Sequence, residues 1–312
     1  MKDSAKKMSK MLGTQSAETA AHAYIYYRYV DHYIYAMGKP VGVVSKPPET
    51  PIPEEIQDML DILTRKVATE AFSTETSTYH GKIVPLEHAE ALVTIEEDIE
   101  LRDLETVIPY RVARDIVLES PQSIALMDCP CRTLQENPCE PLGVCMAVGE
   151  PFASFVVEHG VMNARRITSE QAVEILREED RRGHVHAAYF KDVAAGRFYA
   201  ICNCCTCCCL GMQAWNRLKI PIICSSGYVA RVSADCTACG DCAEICPFGA
   251  VTVEETAVVD EAVCMGCGVC EGACPDGLIR LEPDPRRSGP LDIKKLIAEK
   301  PGKAEYKAEG GV

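Results

Sequence analysis

Two stretches decide the fold at the C-terminal end: "CTACGDCAEICPFGAVTV", residues 236–253, and "CMGCGVCEGACPDGLIRL", residues 264–281. They align without a gap at an offset of 28 residues. Cys236, Cys239, Cys242 and Cys246 fall in step with Cys264, Cys267, Cys270 and Cys274, and Pro247 with Pro275. Each unit is C-x2-C-x2-C-x3-C-P. Thiolates two residues apart can cap neighbouring corners of one compact metal site while the intervening amides turn toward it. Gly240 and Gly268 fall where such tight wrapping calls for positive φ, which glycine adopts without steric cost. Between the units, "AVTVEETAVV" predicts a two-stranded hairpin.

On these motifs, residues 232–282 resemble the 2[4Fe-4S] ferredoxin family of bacteria. The resemblance implies two [4Fe-4S] clusters, with the fourth cysteine of each unit serving the other unit's cluster. One cluster would take Cys236, Cys239, Cys242 and Cys274, and the other Cys264, Cys267, Cys270 and Cys246. Zinc is the alternative, but its ligand pairs rarely form a duplicated cysteine triplet followed by Cys-Pro. Iron–sulfur clusters exchange single electrons, so electron transfer is the chemistry implied at this end.

The chain has 312 residues, 47% hydrophobic and 25% charged, ordinary values for a globular protein, and nineteen cysteines, which is not ordinary. The N-terminus shows no apolar secretory core and no apolar run is long enough to span a membrane, so the expectation is a cytoplasmic protein whose thiols bind metal. The net charge is −14, yet residues 1–10 and 286–312 each carry +3, leaving about −20 on the body. Such a body repels nucleic acid and suits docking to a basic face of a redox partner protein.

Eleven cysteines lie upstream. Cys129, Cys131, Cys139 and Cys145 sit in "DCPCRTLQENPCEPLGVC"; Cys202, Cys204, Cys205, Cys207, Cys208 and Cys209 crowd "ICNCCTCCC"; Cys224 is alone. Adjacent cysteines rarely bridge each other, and six free thiols in one loop invite oxidation. Ligation removes both objections. At least one further iron–sulfur cluster is expected here, with zinc as the rival. Cys129, Cys131, Cys202 and Cys204 are the first candidate ligands, and Cys145 and Cys207 the next.

"SIALMD" and "GRFYAIC" read as strands running into these two groups; as neighbours in one sheet they would bring both groups to one edge. "HVHAAYF" reads as a third strand, joined to "GRFYAIC" by a hairpin loop. His184 and His186 on it are a candidate ligand pair, though histidines satisfied by ordinary hydrogen bonds are the commoner outcome. "ITSEQAVEILREEDRRG" is a helix with a capping box from Thr168 to Gln171 and a stop at Gly183, and "EPFASFVVEHG" a shorter one. "AAHAYIYYRYVDHYIYAMG" predicts one Tyr-rich helix, whose aromatic stripe suits core packing or self-association into a homo-oligomer. A Pro-rich linker follows, then helices across "EEIQDMLDILTRKVATEAF", "LEHAEALV" and "PYRVARDIVLES".

The expected fold class is α+β, in four parts: a helical region with linker, 1–109; a cysteine-rich α/β domain, 110–231; the ferredoxin-like domain, 232–282; and a basic tail, 283–312. From "YHGKIVPLEHAEALV" through "CPCR" and "ICNCCTCCC", the chain also resembles a group of 4Fe-4S dicluster proteins of anaerobic bacteria and archaea, a likeness that implies domain order more than reaction. No glycine-rich phosphate loop or H-E-x-x-H is present. The leading functional expectation is a carrier of low-potential electrons to a partner oxidoreductase. The alternatives are an oxidoreductase whose upstream cluster binds substrate or reduces a disulfide, and a redox sensor or assembly factor.

Overall fold

The computed structural model describes residues 2–13, 16–70, 79–110 and 115–299. Its centre is an eight-stranded mixed sheet built from β1 (Tyr79–Ile83), β2 (Ile99–Leu101), β3 (Ile116–Asp128), β4 (Gly143–Glu150), β5 (Arg165–Ile167), β6 (Val185–Lys191), β7 (Arg197–Cys204) and β8 (Ile223–Cys224). The order across it is β2-β3-β4-β7-β6-β1-β8, with β5 added on β3. Strands β1 and β2 come from residues before 110. The fold is α+β, as expected, with a helical N-terminus and a small C-terminal unit of paired helices and hairpins.

The sheet's two faces carry different side chains, as the two-residue period of a strand requires. Ile124, Leu126, Met146, Val148, Phe190, Phe198 and Ile201 fill one face, where they pack with the Leu86–Val93 and Ser169–Arg181 helices. The opposite face carries Ala125, Ala147, Ala187 and Ala200, four small residues that leave room beneath the N-terminal helices. That room becomes the upstream cysteine site.

Thr168 and Gln171 form the capping box predicted for the Ser169–Arg181 helix, and Ala172 and Leu176 are its buried face. The Tyr-rich segment is two helices, Ala17–Arg28 and Val30–Gly38, broken at Tyr29, whose φ of −126° and ψ of 48° leave the helical region. Tyr26, Tyr27, Tyr29 and Tyr33 are buried within this chain. "PYRVARDIVLES" is not a helix where it is described: Ile116–Glu119 begin β3, and 111–114 lie outside the described residues. Ile116, Val117 and Leu118 pair in register with Leu101, Glu100 and Ile99, and the β-branched pair suits a strand.

The two cysteine-bearing strands are not neighbours. Strand β4 lies between β3 and β7 and carries Cys145 itself. Sequence reasoning missed it, although "GVCMAVGE" is an unbroken apolar run. The C-terminal unit contains the expected hairpin, β10 (Val251–Val253) with β11 (Ala257–Val259), and a second pair, β9 (Tyr228–Val232) with β12 (Ile279–Pro283). Among the described residues, no helix is long and apolar enough to cross a membrane.

Candidate metal centres

In the C-terminal unit, two short helices, Asp241–Ile245 and Val269–Ala273, each start from a left-handed glycine: Gly240 at φ 96° and Gly268 at φ 90°. Cys246 and Cys274 cap the far ends of these helices. The result is two cradles. One is lined by Cys236, Cys239, Cys242 and Cys274, the other by Cys264, Cys267, Cys270 and Cys246. The crossed sets that the resemblance implies are the ones that line the two cradles. Backbone N–H groups donate to three of these sulfurs, Ala250 to Cys246 at 3.3 Å, Ala257 to Cys236 at 3.4 Å and Leu278 to Cys274 at 3.2 Å. Such donors stabilise sulfur in its charged, ligating form.

Residues 235–278 match the 4Fe-4S dicluster domain family. The dicluster domain covers the two cradles, and its chemistry is iron–sulfur electron transfer. No curated protein matches the chain. The cradles fit the group: each offers four thiols around an enclosed space, with backbone N–H groups donating to their sulfurs. They differ in exposure. In the inner cradle Cys264, Cys267 and Cys270 are buried, whereas Cys239 of the outer cradle is exposed.

The dicluster domain is fastened to the large sheet at its inner side. Met265, Cys267 and Val269 share one apolar core with Cys204, Cys209 and Met212. Ser226 donates to the Gly266 carbonyl at 2.6 Å, and Asn216 to the Pro247 carbonyl at 3.0 Å.

Upstream, none of the cysteines is in a disulfide. They divide into two groups and a remainder. The first is a chamber on the alanine face, lined by Cys129, Cys131, Cys145, Cys202, Cys204 and Cys209, with Cys205 at its edge. It is roomier than either cradle. Register explains the convergence. Met127 stands opposite Cys145, Ala187 opposite Cys202 and Val185 opposite Cys204, so these thiols project from one face. Cys129 follows β3, Cys131 lies one turn on, and Cys209 caps the Leu210–Leu218 helix.

The six thiols are linked in sequence by contact. Cys129 shares hydrogen bonds with Cys131 and Cys145, Cys145 with Cys202, and Cys209 with Cys131 and Cys204. These bonds from Cys131 and Cys145 hold the Cys129 thiol well below its usual range, and those from Cys131 and Cys204 do the same for Cys209. Cys131, Cys145 and Cys204, on the giving side of the bonds and buried, are pushed well above it. So dense a set of sulfurs is a donor set for soft metal. Tyr26, Tyr27, Tyr189 and Tyr199 wall the chamber.

Of the first candidate ligands, Cys129, Cys131, Cys202 and Cys204 are together in this chamber, and Cys145 is with them. Cys207 is not. It joins a second group, with Cys139, Cys205 and Cys208, beside the chamber. His184 and His186 do not pair as ligands: His184 binds Glu179 at 2.7 Å and His186 binds Asn203 at 2.6 Å. Cys224 stands apart beside Tyr110 and Lys82, its thiol pushed up by burial.

Proposed function

We propose that the chain is an iron–sulfur electron-transfer protein with a third redox centre in the six-thiol chamber, serving a partner oxidoreductase. The observation that carries this reading is the shared apolar core in which inner-cradle Cys267 and chamber residues Cys204 and Cys209 are packed together. Clusters held in the cradles and the chamber would supply single-electron acceptance and donation. The outer cradle opens to the surface at one thiol, while the inner cradle and the chamber meet in the interior. Cys239 is exposed at the outer cradle, Cys267 is 8% exposed at the inner one, and chamber Cys204 is 5% exposed.

Around Cys239 the exposed rim is acidic, with Asp235, Asp241 and Asp276. That rim suits a partner with a basic docking face.

The deciding experiment is iron and acid-labile sulfide per full-length chain after anaerobic purification. About twelve irons, falling to about eight in Cys202→Ala, is the expected result. About eight irons in both proteins would remove the third centre.

A second reading, substrate turnover at the chamber, is favoured by Tyr27. Its hydroxyl is buried, lines the chamber and has no hydrogen-bond partner among the described residues. An organic disulfide that alters the EPR spectrum of the reduced chain, but not of Tyr27→Phe, would support that reading over simple electron carriage.

A further inference from the structure

Beside the chamber, which Cys205 also lines, the sulfurs of Cys139, Cys205 and Cys207 all lie within 4.8 Å of one another. Cys208 stands beside this set, outside the mutually close three. Its sulfur is 3.5 Å from that of Cys207 and accepts the Cys139 backbone N–H at 3.4 Å. We propose that these four cysteines bind a single zinc ion, without inorganic sulfide, as a clasp between the two loops that build the chamber.

The spacing argues for one ion. Four thiolates about 2.3 Å from a tetrahedral zinc stand roughly 3.8 Å apart. In a four-iron cube each thiolate caps its own corner, so the sulfurs spread more widely. The two cradles of the dicluster domain calibrate this difference. Among the described residues, neither cradle nor the six-thiol chamber brings three sulfurs within 4.8 Å of one another, and this group does.

The second shell fits a thiolate site. His184 Nε2 lies 3.6 Å from the Cys139 sulfur, and its Nδ1 is bound to the Glu179 carboxylate at 2.7 Å. Glu179 is held in turn by Arg132 at 2.7 Å and Arg182 at 2.6 Å. A carboxylate that orients an imidazole toward a metal ligand is a common outer shell for zinc. The connectivity gives the ion its task. Cys139 belongs to the loop that also supplies Cys129 and Cys131, while Cys205, Cys207 and Cys208 belong to the turn between Cys204 and Cys209. One tetrahedral ion would tie those loops together, leaving the six chamber thiols to their own occupant.

The test is zinc, iron and sulfide content of the full-length protein and of Cys207→Ser, chosen because Cys207 is exposed and its replacement leaves the core intact. One zinc per chain is expected in the parent and none in Cys207→Ser, with iron and sulfide unchanged. Loss of iron and sulfide together in Cys207→Ser, or no zinc in the parent, would overturn the proposal. Cobalt offered in place of zinc gives a second readout: tetrahedral thiolate absorption in the parent and its absence in Cys207→Ser. His184→Phe should release zinc to a chelator at roughly 10- to 100-fold lower chelator strength than the parent; unchanged release would show that His184 does not support the site. Because the readout is zinc, its failure is separable from failure of the third iron–sulfur centre, which is read as iron.

Discussion

The Arg132 guanidinium meets the Glu179 carboxylate at 2.7 Å with their side chains 1% and 0% exposed. Arg132 follows Cys131 directly, and Glu179 ends the buried stripe of the Ser169–Arg181 helix, so this pair locks the cysteine loop to the covered face of the sheet. Arg132 also donates to the carbonyls of Pro141 and Asn203. Removing one partner strands a buried charge. Arg132→Met should therefore destabilise the protein by about 3–5 kcal/mol. The double variant with Glu179→Leu should recover part of that loss. Thermal unfolding followed through Trp215 fluorescence checks both, and additive losses would show that the pair is not coupled.

The same carboxylate gives a pH dependence. Burial acts to raise Glu179, but His184, Arg132 and Arg182 outweigh it and hold the carboxyl down to about 2. Its folded value is below the unfolded one, near 4.3. The stabilisation is therefore complete above the unfolded value and lost as pH falls toward the folded one. The difference in melting temperature between the parent and Glu179→Gln should be constant from pH 8 to about 5 and shrink below about 4.3. A difference that widens on acidification would refute the assignment.

Gly266 allows a test of the inner cradle. Its φ is +64°, and a Cβ there would lie 2.2 Å from the Tyr228 carbonyl oxygen. Gly160 has a similar φ of +60° but open space around it. Gly160→Ala should cost about 1 kcal/mol from backbone strain alone. Gly266→Ala should also force the cradle open and lower iron content by about four per chain. Equal effects of the two variants would show that close approach at Gly266 does not hold the cradle.

The alanine face predicts what fills the chamber. Ala147 and Ala200 line it on adjacent strands, paired in register. Ala200→Leu would place four carbons' worth of side chain where one stands, in space the six thiols surround. Iron should fall from about twelve to about eight per chain, with the dicluster EPR signals retained. Retention of all iron would mean that the third centre lies elsewhere.

Some of this was legible in the sequence and some was not, for separable reasons. Three ligands of each cradle are legible because local chain wraps them and leaves its period in the sequence, while the crossed fourth, Cys274 or Cys246, came only with the family resemblance. The chamber is assembled across β3, β4 and β7, so Cys145 joins Cys202 through a sheet order that no spacing encodes. Adjacent cysteines were the hardest to divide. Cys204 and Cys205 both line the chamber, yet Cys204 shares its core with Cys209 while the Cys205 sulfur groups with Cys139 and Cys207. The Tyr-rich segment misled through its length, since nothing in "YYRYVD" announces the break at Tyr29. Strand Ile116–Asp128 was split because its first residues share a helical spacing with the preceding segment, and pairing with Ile99–Leu101 decides against it.

The acidic rim of the outer cradle makes a prediction about electron entry. Asp241 and Asp276 line the outer cradle and are exposed, beside exposed Cys239. The body's negative charge extends the same field, so a cationic donor should be concentrated at this rim and an anionic one repelled. Methyl viologen radical cation and dithionite supply the two signs. In stopped flow, the viologen should reduce the full-length protein more slowly as salt is added, and dithionite faster. Asp241→Asn with Asp276→Asn preserves side-chain shape and removes two charges at the rim. At low ionic strength it should slow the viologen reaction by roughly two- to tenfold. That gap should close as the Debye length shrinks to about 3 Å at 1 M salt. Asp58→Asn with Asp61→Asn, on the Glu54–Glu70 helix, removes the same net charge away from the cradle. If that control slows the viologen equally, the effect belongs to the protein's overall charge, and the rim is not where electrons enter.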